Sequence, residues 1–198
     1  MATETAIIRY NAGNIRSVLL ALERIGAPAV VTDDPDRIRA AGHVVFPGVG
    51  EASSAMRHLR ERGLDEVIRS LRQPFLGICL GMQLMCRHSE ENDTGCLGIF
   101  DEAVRRFQPA GRPLKVPQMG WNRITSLQGP LFHGIAEGTH VYFVHSYHAT
   151  TGPDTRAVTD YILPFSAALG RDNFFGVQFH PEKSATAGER ILRNFLEL

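Results

Sequence analysis

Short apolar segments alternate with amphipathic helical ones through the first half of the chain, and this alternation limits the fold more than any other feature. Ala6-Ile7-Ile8 is followed by the turn residues Asn11-Ala12-Gly13-Asn14, then by Ile15, Val18, Leu19 and Leu22 at helical spacing up to Gly26. Ala29-Val30-Val31 predicts a second strand, a polar turn follows, and His43-Val44-Val45-Phe46 predicts a third that runs into Pro47-Gly48-Val49-Gly50. Helices are expected from about Ala52 to Arg60 and from about Leu64 to Leu71. Gln73-Pro74 opens the strand Phe75-Leu76-Gly77-Ile78, and a helix is expected from just after Cys79 to about Arg87. Strands that alternate with helices predict an α/β fold, a mostly parallel open sheet flanked by helices. From about Gly98 to Phe179 the pattern changes to short strands and turns: 103–107, 122–124, 141–144 and 174–179. These are expected to form an antiparallel extension at one edge of the sheet. A helix at about Gly188 to Leu196 ends the chain. No repeat or linker interrupts 198 residues, which predicts a single domain over 1–198.

Composition narrows the function classes. With 21 Lys and Arg against 21 Asp and Glu, the formal net charge is zero, so the totals carry no electrostatic footprint for nucleic acid or an acidic membrane. No segment approaches the ~18 apolar residues of a membrane span, and the N-terminus lacks a basic stretch followed by a long apolar one. The three cysteines, Cys79, Cys86 and Cys96, are odd in number and form no CxxC pair. That argues against a disulfide framework and a zinc site, and for a reducing, cytoplasmic location. No metal or cofactor is expected.

The strongest local motif is Gly77-Ile78-Cys79-Leu80-Gly81, a nucleophile between two glycines where a strand turns into a helix. A residue on such a sharp turn takes a strained backbone and projects its side chain outward, here at the C-terminal edge of a central strand. Unpaired N–H groups at the start of the following helix favour a thiolate. A lone cysteine is more often a buried core residue; the flanking glycines and the strand–helix context favour a nucleophile.

A thiol nucleophile needs a histidine held by a third group. His180 ends the apolar run Gly176-Val177-Gln178-Phe179, and in an extended segment it shares a side with Glu182, across Pro181. His-x-Glu alone is more often a surface pair. Beside the elbow, it predicts a base and its orienting carboxylate. The remaining histidines, apart from His145 below, are expected to be surface or packing residues, and His88-Ser89-Glu90-Glu91 a polar, exposed turn rather than a metal site. Acyl transfer also needs donors aimed at an oxyanion. The backbone N–H of Leu80 is one, and the Gly48-Val49-Gly50 loop is the candidate for the second, although an ordinary βα turn would look the same.

These pieces, in this order, resemble the class I (triad) glutamine amidotransferases. Gly-Ile-Cys-Leu-Gly-Met-Gln (77–83) and Gly-Val-Gln-Phe-His-Pro-Glu-Lys-Ser (176–184) are similar to that family's two signatures. Within it, Pro47-Gly48-Val49-Gly50, Val116-Pro117-Gln118-Met119-Gly120-Trp121-Asn122, Leu131-Phe132-His133-Gly134-Ile135 and Tyr142-Phe143-Val144-His145-Ser146-Tyr147 resemble the glutaminase subunits of imidazole glycerol phosphate synthase. The likeness runs along essentially the whole chain. It departs at Arg9 and Asn11, where the family often has an Asp-Tyr-Gly start before the Gly-Asn pair; Gly13-Asn14 is kept.

The resemblance implies a division of labour. This subunit hydrolyses L-glutamine through a cysteine thioester, and a separate (β/α)8-barrel cyclase subunit uses the ammonia to make imidazole glycerol phosphate and an aminoimidazole carboxamide ribotide in histidine biosynthesis. It further implies that Gln83 and His145-Ser146-Tyr147 hold the substrate, and that Asn14, Trp121, Tyr142 and Lys183 lie at or near the cyclase interface. An uncoupled glutaminase wastes glutamine, so activation by the partner is expected, with the Gly48-Val49-Gly50 loop as its switch. Two other readings stand beside this one. A glutaminase of an anthranilate-type or pyridoxal-phosphate-type synthase would share the reaction, but the Met-Gly-Trp-Asn and Phe-Val-His-Ser-Tyr segments argue against it. A stand-alone thiol hydrolase would act on peptides or esters in place of glutamine.

Overall fold

The computed structural model describes residues 4–10, 13–109, 111 and 114–198. The elements are β1 (Thr5–Ile8), α1 (Ile15–Arg24), β2 (Ala29–Thr32), α2 (Pro35–Ala40), β3 (His43–Gly48), α3 (Ala52–Glu61), α4 (Leu64–Ser70), β4 (Phe75–Cys79) and α5 (Leu80–Met85). They continue with β5 (His88–Ser89), β6 (Thr94–Gly95), β7 (Ala103–Arg106), β8 (Gln118–Arg123), β9 (His140–His145), β10 (Tyr147–Ala149), β11 (Thr155–Asp160), β12 (Pro164–Arg171), β13 (Phe174–Val177) and α6 (Ala185–Leu196).

The main sheet runs β2-β1-β3-β4-β13-β12-β10-β7-β5-β6, with β11 on β12. From β2 to β13 every neighbouring pair is parallel, and beyond β13 the pairings are antiparallel except β5 with β7. The expected mostly parallel sheet with an antiparallel extension is therefore present, and β4 lies near its centre. The apolar strands are continuous because both faces are covered. Ala6, Ile8, Val44, Phe46 and Phe75 pack into one core with Ile38, Met56, Leu59, Leu64 and Ile68. Ile7, Val45, Leu76 and Ile78 alternate into the opposite core with Val18, Leu22, Ile191 and Phe195. Successive strand side chains point to opposite faces, so a strand buried on both sides is largely apolar, with Thr5 and His43 as the polar exceptions at the strand starts.

The structure corrects several expectations. The polar turn after β2 contains α2, capped by the Asp34 carboxylate accepting from the Asp36 N–H, with Pro35 in the first turn. That Asp-Pro start is a helix signal in its own right. Helix α5 ends at Met85 rather than near Arg87, because Cys86 is already extended, and α6 begins at Ala185 rather than Gly188. The second half does not only extend an edge. Strand β13 joins the parallel set beside β4, with Phe174 opposite Phe75 and Val177 opposite Ile78. Strands β8 and β9 leave the main sheet and pair with each other as a separate antiparallel ribbon. His88-Ser89 is not an exposed turn: it forms β5, and Ser89 is buried. Residues 10, 13 and 14 of the first turn are described; Asn11 and Ala12, one of them a departure noted above, lie outside the described residues.

Candidate active site

Cys79 closes β4 and precedes α5 with φ 55° and ψ −110°, a backbone conformation that a cysteine holds only under constraint. The constraint is close packing on both sides of the turn. A Cβ at Gly81 would overlap the Phe46 carbonyl oxygen of β3, and one at Gly77 would press on the backbone of α5 at Gly81 and Met82. The two glycines of the motif thus let the α5 backbone lie against the sheet, and that contact forces the intervening residue into the strained bend.

The parallel pairing of β13 with β4 brings His180 to Cys79, since the strands run in register and end together. The short 3-10 turn Pro181–Lys183 follows His180 and folds Glu182 back under the ring. His180 Nδ1 lies 2.8 Å from Glu182 Oε1, and both side chains are almost wholly buried. Nδ1 therefore donates to the carboxylate, and Nε2 is left with no hydrogen-bond partner among the protein groups described. Burial disfavours the imidazolium, but interactions with Cys79 and with Glu182 outweigh it and raise His180 to about 10. The histidine accordingly holds a proton at neutral pH. This can be checked by histidine-nitrogen NMR: His180 should stay doubly protonated between about pH 5 and 8, where an ordinary imidazole titrates. Cys79→Ala removes one raising partner and leaves the burial, so the titration should move downward; a midpoint in the ordinary imidazole range in both proteins would contradict the assignment.

A cleft of about 230 Å³ opens over Cys79, lined also by Val49, Gly50, Leu80, Gln83, Glu91, Val144, His145, Ser146 and Tyr147. The sequence-predicted residues thus converge, with distinctions. Val49 and Leu80 line the cleft. Gly48 is buried beneath them at the end of β3, opposite Cys79 in the ladder. A Cβ at Gly48 would strike the Tyr10 hydroxyl and Leu80, so a larger residue there disturbs packing as well as the loop. Gln83 donates its amide to the Tyr147 carbonyl and the Gln178 side chain, each at 2.8 Å, leaving its carbonyl oxygen as the polar atom not used by those bonds. His145 is buried and lowered to about 3, burial being the main cause. Its Nδ1 donates to Tyr147 O at 2.7 Å, and the Gln118 carboxamide lies 3.1 Å from Nε2. It shapes the cleft wall as a neutral ring whose nitrogens are already engaged.

Three groups at the site escaped the sequence reading. Glu91 enters the cleft from the 88–91 segment; its carboxylate accepts from the Ala52 N–H at 2.8 Å, and burial raises it despite that bond. Gln178 donates to Cys79 Sγ at 3.6 Å, and the Val144 carbonyl lies 3.9 Å from the same sulfur. Gln178 sits in the signature segment and has an inward alternation that the strand pattern could have revealed. Glu91 had no local signal, because a two-residue strand is too short to carry one.

The expected interface residues split. Trp121 is 53% exposed on β8 and meets Tyr142 of β9 edge-on across the ribbon, with Lys183 Nζ 5.9 Å above the Tyr142 ring. Met119, 66% exposed, extends the same face. Asn14 instead reaches the buried His180–Glu182 pair, where its Nδ2 donates to Glu182 Oε1 at 2.6 Å. Among the described residues no group of His, Cys, Asp and Glu side chains has the arrangement of a metal site, and no helix is long and apolar enough to cross a membrane.

Residues 7–198 match the family model of glutamine amidotransferase class-I. The imidazole glycerol phosphate synthase subunit HisH of Bacteroides fragilis is 60% identical, covering 98% of this chain and 100% of the relative. The subunit of the same name from Bacteroides thetaiotaomicron is 57% identical, with the same coverage. Among solved structures, PurLQS from Thermotoga maritima superposes with a TM-score of 0.74 at 16% identity, covering 100% of this chain and 99% of that one, a likeness of fold.

Proposed function

The chain belongs to the class-I glutamine amidotransferases and, within them, to the HisH subunits of imidazole glycerol phosphate synthase; from that premise we propose that Cys79, His180 and Glu182 carry its glutaminase reaction. The subunit serves histidine biosynthesis together with a cyclase partner. The observation that carries the residue assignment is the His180 ring, locked by Glu182 through Nδ1 and unpaired at Nε2, beside a cysteine held in a strained bend at the floor of a cleft.

The thiolate of Cys79 attacks Cδ of the glutamine side-chain amide, and the C–O π electrons move to oxygen. N–H groups of Leu80 and of the Gly48-Val49-Gly50 loop stabilise that oxyanion. His180 passes its proton to the amide nitrogen, the C–N bond breaks, and ammonia leaves a γ-glutamyl thioester. The now neutral His180 takes a proton from water as the oxygen attacks the thioester. Collapse expels the thiolate, releases glutamate and restores the imidazolium. In the cleft, the Glu91 carboxylate is placed to take the substrate's α-ammonium, while the Gln83 carbonyl oxygen and the Ser146-Tyr147 wall, braced by His145, orient the rest.

The β8–β9 face with Met119, Trp121, Tyr142 and Lys183 receives the cyclase, a (β/α)8 barrel. Its aromatic and apolar side chains suit the buried centre of a protein interface. The ribbon is also wired to the chemistry. The Tyr142 carbonyl accepts from the His180 N–H at 2.9 Å, and the Val144 carbonyl lies 3.9 Å from the Cys79 sulfur. Docking there can therefore bias the geometry of the site. Ammonia remains an unprotonated nucleophile if it passes directly to the partner, which makes coupling advantageous. The complex works in the cytoplasm, where the three free thiols stay reduced.

Steady-state glutamine hydrolysis should be measured for the lone subunit, the complex, and the complex with acceptor nucleotide. A missing oxyanion donor costs about a hundred- to a thousand-fold in rate, so the third rate should exceed the first on that scale. Agreement of all three within a few-fold would rule out the loop as a switch. Turnover of peptides or esters in preference to glutamine would favour a stand-alone thiol hydrolase.

A further inference from the structure

We propose that Asn14 is a positioning residue of the glutaminase, holding the Glu182 carboxylate in the one orientation that keeps His180 directed at Cys79. This rests on the triad reading above and gives a second role to a residue that the family resemblance placed at or near the partner interface.

Glu182 is a carboxylate with no exposed surface in its side chain. Two donors converge on one of its oxygens: His180 Nδ1 at 2.8 Å and Asn14 Nδ2 at 2.6 Å. The other oxygen, Oε2, has no hydrogen-bond partner among the protein groups described. A buried carboxylate satisfied only by the histidine could turn about its own side-chain bonds and carry the ring with it. A second donor from a different part of the chain removes that freedom. The Asn14 amide nitrogen is also 3.3 Å from His180 Nδ1, so the three groups form one compact contact.

The Asn14 backbone leads directly into α1. It occupies a left-handed conformation, φ 71° and ψ 1°, immediately before α1, and its carbonyl accepts from the Val18 N–H in the first turn of that helix. Asparagine tolerates this backbone region better than most residues, and its short amide reaches Glu182 without adding a charge. An aspartate would fit the same space but would set a second carboxylate against Glu182 and remove the donor. Such a pair relieves the repulsion by sharing a proton, which restores an O–H donor as pH falls.

The test uses the complex with its cyclase. Asn14→Ala should lower kcat for glutamine hydrolysis by about ten- to a hundred-fold, the scale on which outer hydrogen-bond partners of a functional histidine act, while KM for glutamine and synthesis from added ammonia stay within about two-fold. In a Glu182→Ala background the same change should have little further effect, because its route to the histidine is gone. The Asn14→Asp activity, as a ratio to wild type, should rise as pH is lowered. An unchanged kcat, an effect on KM or on ammonia-dependent synthesis alone, a full-size effect in the Glu182→Ala background, or an Asn14→Asp ratio independent of pH would each overturn the proposal. Glutaminase activity surviving Cys79→Ala would instead overturn the triad reading, so the two failures are distinguishable.

Discussion

A Cys79→Ala subunit assembled with its cyclase should make no product from glutamine, yet the complex should still make it from added ammonia. The loss in glutamine hydrolysis should reach about a million-fold, the effect of deleting the nucleophile of a coupled triad. Alanine is smaller than cysteine, so the strained bend keeps its packing against Gly77 and Gly81, and the β8–β9 face is untouched. The chemistry is therefore removed without removing the partner's access to ammonia. Both activities are measured on one preparation, which separates a missing nucleophile from a misfolded subunit. Glutamine hydrolysis persisting in the folded variant would mean that another group attacks the amide; Cys86 and Cys96, whose thiols burial pushes up, are poor replacements.

Glu182→Gln should lower kcat by about a thousand- to ten-thousand-fold, a loss clearly smaller than that of Cys79→Ala. The carboxylate does two things: it fixes Nδ1 as a donor and it favours the imidazolium. A glutamine in its place retains an oxygen that can accept from Nδ1 and from Asn14, so some oriented histidine survives. The charge does not. Burial disfavours the protonated ring, and Glu182 is one of the two groups that outweigh it. Without it the His180 proton is lost at lower pH, and the alkaline limb of kcat/KM should move to lower pH than in the wild type. Triad members act as a unit, so Cys79→Ala/Glu182→Gln should be no worse than Cys79→Ala alone. A Glu182→Gln enzyme with the wild-type rate and pH profile would show that a different group orients the ring.

The sequence by itself determined the parallel core and the elbow, and singled out Cys79 as the candidate nucleophile. Each of these has a local cause. Continuous apolar strands such as 43–46 and 75–78 report burial on both faces, and Gly77 and Gly81 flank a residue whose bend they make possible. The His180–Glu182 pairing was legible as well, but not by the extended alternation expected: a 3-10 turn over Pro181–Lys183 folds the carboxylate back onto the ring. Tertiary structure decided everything that depends on which distant segments meet. Nothing near residue 174 announces that β13 inserts beside β4, with Gly176 opposite Gly77, although that pairing brings His180 to Cys79, about a hundred residues earlier. Nor does the Gly13-Asn14 pair announce a bond to Glu182, 168 residues away, or the 88–91 segment a carboxylate in the cleft. Side-chain periodicity and turn chemistry act over a few residues. Strand order and hydrogen-bond partners follow from burying all the apolar faces at once, and no single segment contains that information.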